Sequence, residues 1–280
     1  MPQMAVLCLQ SRLNGIDKKI RNEEVIMKIG VIGTGTIASA IVTGFCTKKS
    51  GHEFFLSPRG AKKAAALAAE FSEVTVCKSN QEVLDCAEWI FITVQKNAFE
   101  ALKELKFRKD HKVLNMATEM QLSYLKEITG ETAVFAHVVP LPMIVRGFGP
   151  LLVYPEVPEV GELFATVGDA IYISNMDDAR TLQLLTCLMS PYYMLVDEFA
   201  KFTVDQGVGH EASVKFIHSL LSALTRRAVE TPNCDLVELA NDMTPGGYNE
   251  QAMNELLGNG AITAWRDTMD RLRERLQASI

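Results

Sequence analysis

The spacing of apolar residues changes near position 176, and the change predicts two kinds of structure. Up to that point, short apolar runs alternate with stretches whose apolar residues recur every three to four positions. The first run is "MKIGVIG" (27–33), followed by a helical pattern over 36–46 with Ile37, Ile41 and Phe45 on one face. The rhythm continues: strand "EFFLS", helix "AKKAAALAAEF", strand "EVTVC", helix "NQEVLDCA", strand "WIFITV", helix "AFEALKEL", strand "KVLNMA", helix "LSYLKEI" and strand "AVFAHVV". Such alternation predicts parallel strands joined by right-handed helical crossovers, an α/β doubly wound sheet of the Rossmann kind. The near-continuous apolar character of the strands agrees, because both sheet faces would be covered.

After Val139 comes a Pro/Gly-rich passage, "PLPMIVRGFGPLLVYPEVPEV", and then a last helix and strand around 160–174. From 177 onward the pattern is helical without a returning strand signal. Over 212–229, Val214, Ile217, Leu220, Leu221, Leu224 and Ala228 share one face, a stripe wide enough for core or for contact with a second subunit. The expected organisation is therefore an N-terminal extension (1–26), a doubly wound α/β domain (27–176) and an all-α domain (177–280) that packs against a partner chain. The extension reads as a leader or a mis-assigned start, because Met27 stands directly before the first strand.

With 48% hydrophobic and 22% charged residues among 280, the chain has ordinary globular composition. Its net charge of -6 leaves no broad basic field, which argues against a nucleic-acid partner. No apolar run reaches the roughly 18 residues of a membrane span, and the patch at 5–9 is too short for a secretion signal. Cys8, Cys46, Cys77, Cys86, Cys187 and Cys234 form no CxxC pair and read as reduced thiols, with neither a disulfide framework nor a metal site. A cytoplasmic location follows as the expectation.

Candidate chemistry begins at "GTGTIASA". Gly33, Gly35 and Ala38 match G-x-G-x-x-A between a strand and a helix, the context that gives the motif its meaning. Gly33 permits the tight turn, Gly35 lets the backbone approach a pyrophosphate, and Ala38 allows close helix–strand packing. The amides at the helix start, around Thr36 and Ile37, then hold the anion. The second strand ends without an acidic residue to grip a ribose hydroxyl. Ser57 and Arg59 of "FFLSPRG" instead suit a 2′-phosphate, so the expected cofactor is NADP, as NADPH.

A second feature is "NDMTPGGYNEQAM" (241–253), where Pro245, Gly246 and Gly247 interrupt a helical region. On these residues alone it reads as a corner between helices. Together with the phosphate turn, it gives the chain from Met27 onward a resemblance to the pyrroline-5-carboxylate reductases. "MKIGVIGTGTIASAIVTGF" is similar to that family's opening strand and phosphate turn, "ITVQKN" stands where it has "AVKP", "TPGGYNEQAM" resembles its "SPGGTT", and "LLGNGAITAWRDTMDRLRER" its closing helix.

The resemblance implies reduction of a small cyclic imine by NADPH between a dinucleotide domain and a helical domain that interlocks with its twin, as a homodimer or larger homo-oligomer. It places Val94, Gln95, Lys96 and Ala117 with the cofactor. It also implies that Ser190, Pro191, Thr244, Gly246, Gly247, Tyr248 and Asn249 face the substrate, where glycine amides form an anion nest. Departures gather on that side: Tyr248-Asn249 for Thr-Thr, "CLMSPY" for "SGSGPA", Pro140 for Asn, and "MAT" (116–118) for "AAG". They imply a kept cofactor and an altered substrate.

No catalytic proton donor stands out, because an iminium is already electrophilic. Tyr192, Tyr193, Tyr248, His137 and His210 lack triad or ligand spacing. Alternatives are a β-hydroxyacid dehydrogenase, for which Lys215 is followed by Ser219 instead of Asn, an F420-dependent NADP oxidoreductase, and a non-catalytic NADP-binding regulatory protein.

Overall fold

A computed structural model describes residues 26–117, 120–231, 233 and 235–278; all of the expected extension (1–26) but Ile26, together with Cys8, Thr118 and Cys234, lies outside them. The chain divides into two compact units between Ala179 and Arg180.

The first unit is built on an eight-stranded sheet in the order β3-β2-β1-β4-β5-β6-β7-β8. Its strands are β1 (Lys28–Ile32), β2 (Glu53–Leu56), β3 (Val74–Val76), β4 (Trp89–Ile92), β5 (Lys112–Asn115), β6 (Val134–Pro140), β7 (Pro150–Tyr154) and β8 (Asp169–Tyr172). The helices between them are α1 (Thr36–Thr47), α2 (Ala61–Glu70), α3 (Asn80–Cys86), α4 (Leu122–Thr129) and α5 (Pro158–Phe164). All neighbours pair in parallel except β6 and β7, so the doubly wound sheet is mostly parallel. β7 is the strand that the sequence pattern hides. It lies inside the Pro/Gly-rich passage, after Gly147 and Gly149, whose positive φ values turn the chain back along β6.

The alternation along the strands fills two cores, as a sheet covered on both faces requires. Ile29, Val31, Phe54, Leu56 and Phe91 pack with Ile41 and Phe45 of α1 on one side. Ile32, Ile90, Ile92 and Val113 pack with Val83 and Leu84 of α3 and Leu125 of α4 on the other. Between β4 and β5 the expected helix is replaced by two 3-10 turns, Lys96–Ala98 and Glu100–Glu104. Phe99 joins them, buried against Tyr124, and this anchor divides what would otherwise be one helix.

From α6 (Met176–Leu184), within which the division falls, the described chain is helical: α7 (Met189–Asp205), α8 (His210–Glu230), α9 (Leu236–Asn241), α10 (Tyr248–Gly258) and α11 (Ala261–Ala278). α7 and α8 share a small core of Val196, Ala200 and Ile217, with Val214 and Leu221 packed against it. Among the described residues Leu220 and Leu224 of the predicted stripe are exposed, as are Phe202 and Phe216 beside it at 67% each. Among the described residues no helix is long and apolar enough to cross a membrane.

Candidate functional site

At the carboxyl ends of β1, β4 and β5 the first unit opens a groove of about 560 Å3. It is lined by Gly35, Thr36 and Ile37 from the phosphate turn, by Thr93 through Asn97 and Phe99 after β4, and by Met116 and Ala117 after β5. This is the crevice where sheets with a switch of strand order take nucleotides.

The two glycines of the turn serve different needs. Gly33 has φ +99, and a Cβ there would stand 2.8 Å from Val94 Cγ1, so the fold itself demands glycine. Gly35 has an ordinary φ of -91, and a Cβ there would meet nothing within 4 Å. The chain gains nothing structural from leaving that position bare; the space belongs to whatever enters the groove. Gly35 is also the N-cap of α1, with no side chain capping the helix. The first amides therefore keep their hydrogen-bonding capacity for a ligand. Ala38 is buried in the core beneath the turn.

Neighbouring residues hold this geometry. The Thr93 hydroxyl donates to the Gly33 carbonyl and to the Ile32 carbonyl (3.2 Å). Asn115, fully buried, accepts from the Ala117 amide (3.0 Å) and donates to the Met120 carbonyl (2.8 Å), shaping the loop after β5. The loop after β2 is stitched to the phosphate turn. The Thr34 amide donates to the Arg59 carbonyl (3.4 Å), and the Thr34 hydroxyl donates to the Ser57 carbonyl (3.3 Å). Gly60, at φ +89, leaves no room for a Cβ against the Thr34 carbonyl.

Ser57 departs from its expected role. Its hydroxyl is buried, donates to Asn80 Oδ1 (2.8 Å) and accepts from the Arg59 amide (3.2 Å), so it holds the loop instead of meeting a phosphate. Arg59 is exposed beside it. Lys63, which the sequence reading missed, extends from the first turn of α2 and donates to Thr36 Oγ1 (2.9 Å). Its signal was its place one helical turn beyond Arg59. Thr93, Asn97 and Phe99 were also missed as groove residues, whereas Met116, named from the sequence as a departure on the substrate side, lines the groove as well.

At the Pro-Gly-Gly corner, in the second unit, the chain's own groups take the two glycine amides of the expected anion nest. Gly246 adopts φ +75, and the turn closes with the Gly247 amide donating to the Thr244 carbonyl (2.9 Å). The Gly246 amide donates to the Glu250 carboxylate (2.5 Å), while Gln251 Nε2 reaches the Gly246 carbonyl (2.9 Å). Both glycine amides are thus spent within the chain, and a negative charge already sits on the corner. Tyr248 and Asn249 open α10 and are exposed, Tyr248 at 89%. Ser190 and Pro191 are exposed in the first turn of α7.

Two other groups have physical roles in the first unit. His137 on β6 is buried with Nδ1 lacking a hydrogen-bond partner among the described residues, and burial pushes its pKa down to about 4, which keeps it neutral. Burial likewise pushes the Cys46 and Cys77 thiols up, to about 12 and about 11, as inert core residues; Cys187, by contrast, is exposed.

Residues 28–118 match the family model described as NADP oxidoreductase, coenzyme F420-dependent. No curated protein matches the chain in sequence. Among solved structures, the chain is similar to the pyrroline-5-carboxylate reductase of Streptococcus pyogenes, at TM-score 0.70 and 20% identity over 90% of this chain and 99% of that one. The Coxiella burnetii pyrroline-5-carboxylate reductase gives TM-score 0.73 and 17% identity over 90% and 98%. The Plasmodium falciparum enzyme, solved with NADP bound, gives 0.68 and 16% over 90% and 97%. The fold is that of the pyrroline-5-carboxylate reductases, and a segment of the first unit matches a model of NADP oxidoreductases.

Proposed function

We propose that this chain is an NADPH-dependent reductase of a cyclic imine, 1-pyrroline-5-carboxylate or a close relative. The observation that carries the reading is Gly35, bare where the fold requires no glycine and set at the uncapped start of α1. A pyrophosphate fits there, with the amides of Thr36, Ile37 and Ala38 as donors. From that point the sheet order leads one way to Arg59 and Lys63, cations suited to a 2′-phosphate. It leads the other way to Val94, Gln95, Phe99, Met116 and Ala117, a largely apolar wall for the nicotinamide.

When bound, NADPH supplies the hydride. The chain's contribution is orientation: Asn115 fixes the loop carrying Met116 and Ala117, and the 3-10 turns fix Phe99. Thr93 is committed to backbone carbonyls and is not a proton donor, which suits a substrate that arrives protonated. The exposed apolar faces of α7 and α8 support assembly as a homodimer or larger homo-oligomer.

The test is a fluorescence titration with NADPH, then a panel of cyclic imines and 2-oxo acids followed by loss of NADPH absorbance. Oxidation with an imine and not with an oxo acid is the expected result. The family model's description favours one second reading, hydride exchange with a deazaflavin, and adding F420 to the panel separates it. Tight titration without turnover on any partner identifies a binding protein instead.

A further inference from the structure

We propose that Thr36 is a positioning residue for coenzyme choice: its hydroxyl holds the Lys63 ammonium at the place where the 2′-phosphate of NADPH arrives. This rests on the NADPH reading above and adds a member of the phosphate turn to the groups that tell NADPH from NADH.

Thr36 is the first residue of α1, and Lys63 lies in the first turn of α2. β1 and β2 are parallel neighbours, so the two helices start at the same edge of the sheet. There Lys63 Nζ donates to Thr36 Oγ1 across 2.9 Å, between residues 27 positions apart.

Helix stability does not explain this contact. Each helix start is the positive end of a macrodipole, where a cation is unfavourable, and neither first turn contains an acid. Among the described residues the Lys63 ammonium has no carboxylate partner. α3 shows the ordinary solution, with Ser79 as its cap and Glu82 in its first turn. Holding a long side chain still for one hydrogen bond to a neutral hydroxyl also gains the empty protein little. Two positive helix ends and a cation converge, and the anion that balances them has to come from outside.

A dinucleotide in this crevice sets its pyrophosphate against the amides of α1 and its ribose 2′ position at the end of β2. NADH offers only a hydroxyl at that second place. Tethered to Thr36, the ammonium is confined to the space between the two helix starts, which the adenosine ribose crosses, and two of its three donors stay open there. Without the hydroxyl the lysine would sweep solvent, and the 2′-phosphate would have to immobilise it on binding. Thr36 suits the task because its branched side chain is stiff about the first torsion.

The experiment is a fluorescence titration with NADPH and with NADH in the wild-type chain, Thr36→Val, Thr36→Ser, Lys63→Met and the double variant Thr36→Val/Lys63→Met. Thr36→Val keeps the branched shape without the hydroxyl and should lower the preference Kd(NADH)/Kd(NADPH) about fivefold, while Thr36→Ser keeps it within about twofold. Added to Lys63→Met, Thr36→Val should move the preference by less than about twofold, because the pair acts as one unit. A loss through the pyrophosphate falls on both coenzymes and leaves the ratio alone.

An unmoved ratio in Thr36→Val, or an equal drop with and without Lys63, overturns the proposal. So does a wild-type chain with no preference for NADPH. The titrations need no turnover, so a chain that shows these ratios yet reduces no imine loses the reductase reading and keeps this one. Imine reduction by a chain whose ratio ignores Thr36 does the reverse.

Discussion

Two of the helices that begin at a glycine differ in the turn that leads into them. At α1 the chain leaves Gly35 bare, offers no capping side chain and lets the helix start open into a groove. At α10 the first helical amides likewise have no side-chain cap, but the turn before them is closed by the chain itself, through Glu250 on Gly246 and Thr244 on Gly247. Neither helix start carries a side-chain cap, yet only at the second does a carboxylate of the chain already hold a glycine amide in the turn before it. A glycine motif thus signals a binding site only when the surrounding side chains leave it empty.

The comparison can be broken most sharply at Gly35. Gly35→Ala should weaken NADPH about 100-fold by filling the space of the pyrophosphate, while stability moves by less than about 0.5 kcal/mol. Fluorescence titration beside a urea melt reads both, and coupled losses would show that the glycine is structural after all. Gly33→Ala should do the reverse, costing about 2 kcal/mol of stability in the same melt through positive φ and the clash with Val94.

Arg59→Ala and Lys63→Met should each weaken NADPH about tenfold and leave NADH within about twofold, as expected for contacts to the 2′-phosphate alone. Equal effects on the two nucleotides would move these cations to another role. At the closed corner, Glu250→Gln exchanges a charged acceptor for a neutral one and should cost about 1 kcal/mol, read as a shift in the urea midpoint. No shift would mean that the carboxylate does not hold Gly246 in solution.

Much of the first unit was legible in the sequence because its signals are local. Strand runs such as "WIFI" and the spacing of Ile37, Ile41 and Phe45 depend on neighbours within one turn or one pleat, and the fold keeps them as read. The misses are contacts made across the chain. Ser57 looked like a phosphate ligand because nothing near it reveals Asn80, its partner 23 positions away. Lys63 was not singled out because its contact, Thr36, lies 27 positions back. β7 was hidden because glycine and proline, which mark turns, here also flank an antiparallel strand. Glu250 had a local signal, an acid just inside a helix that starts after Gly-Gly, and it outweighs the likeness of the corner to an open nest.

Thr34 binds the loop after β2 through both its amide and its hydroxyl, and Gly60 seals the seam without space to spare. Anyone wishing to retune the protein from one coenzyme to the other therefore faces a coupled unit: an acid grafted at position 57 or 59 tugs on the pyrophosphate cradle too. Successful redesign would transplant residues 57–60 together with 33–36 as one block.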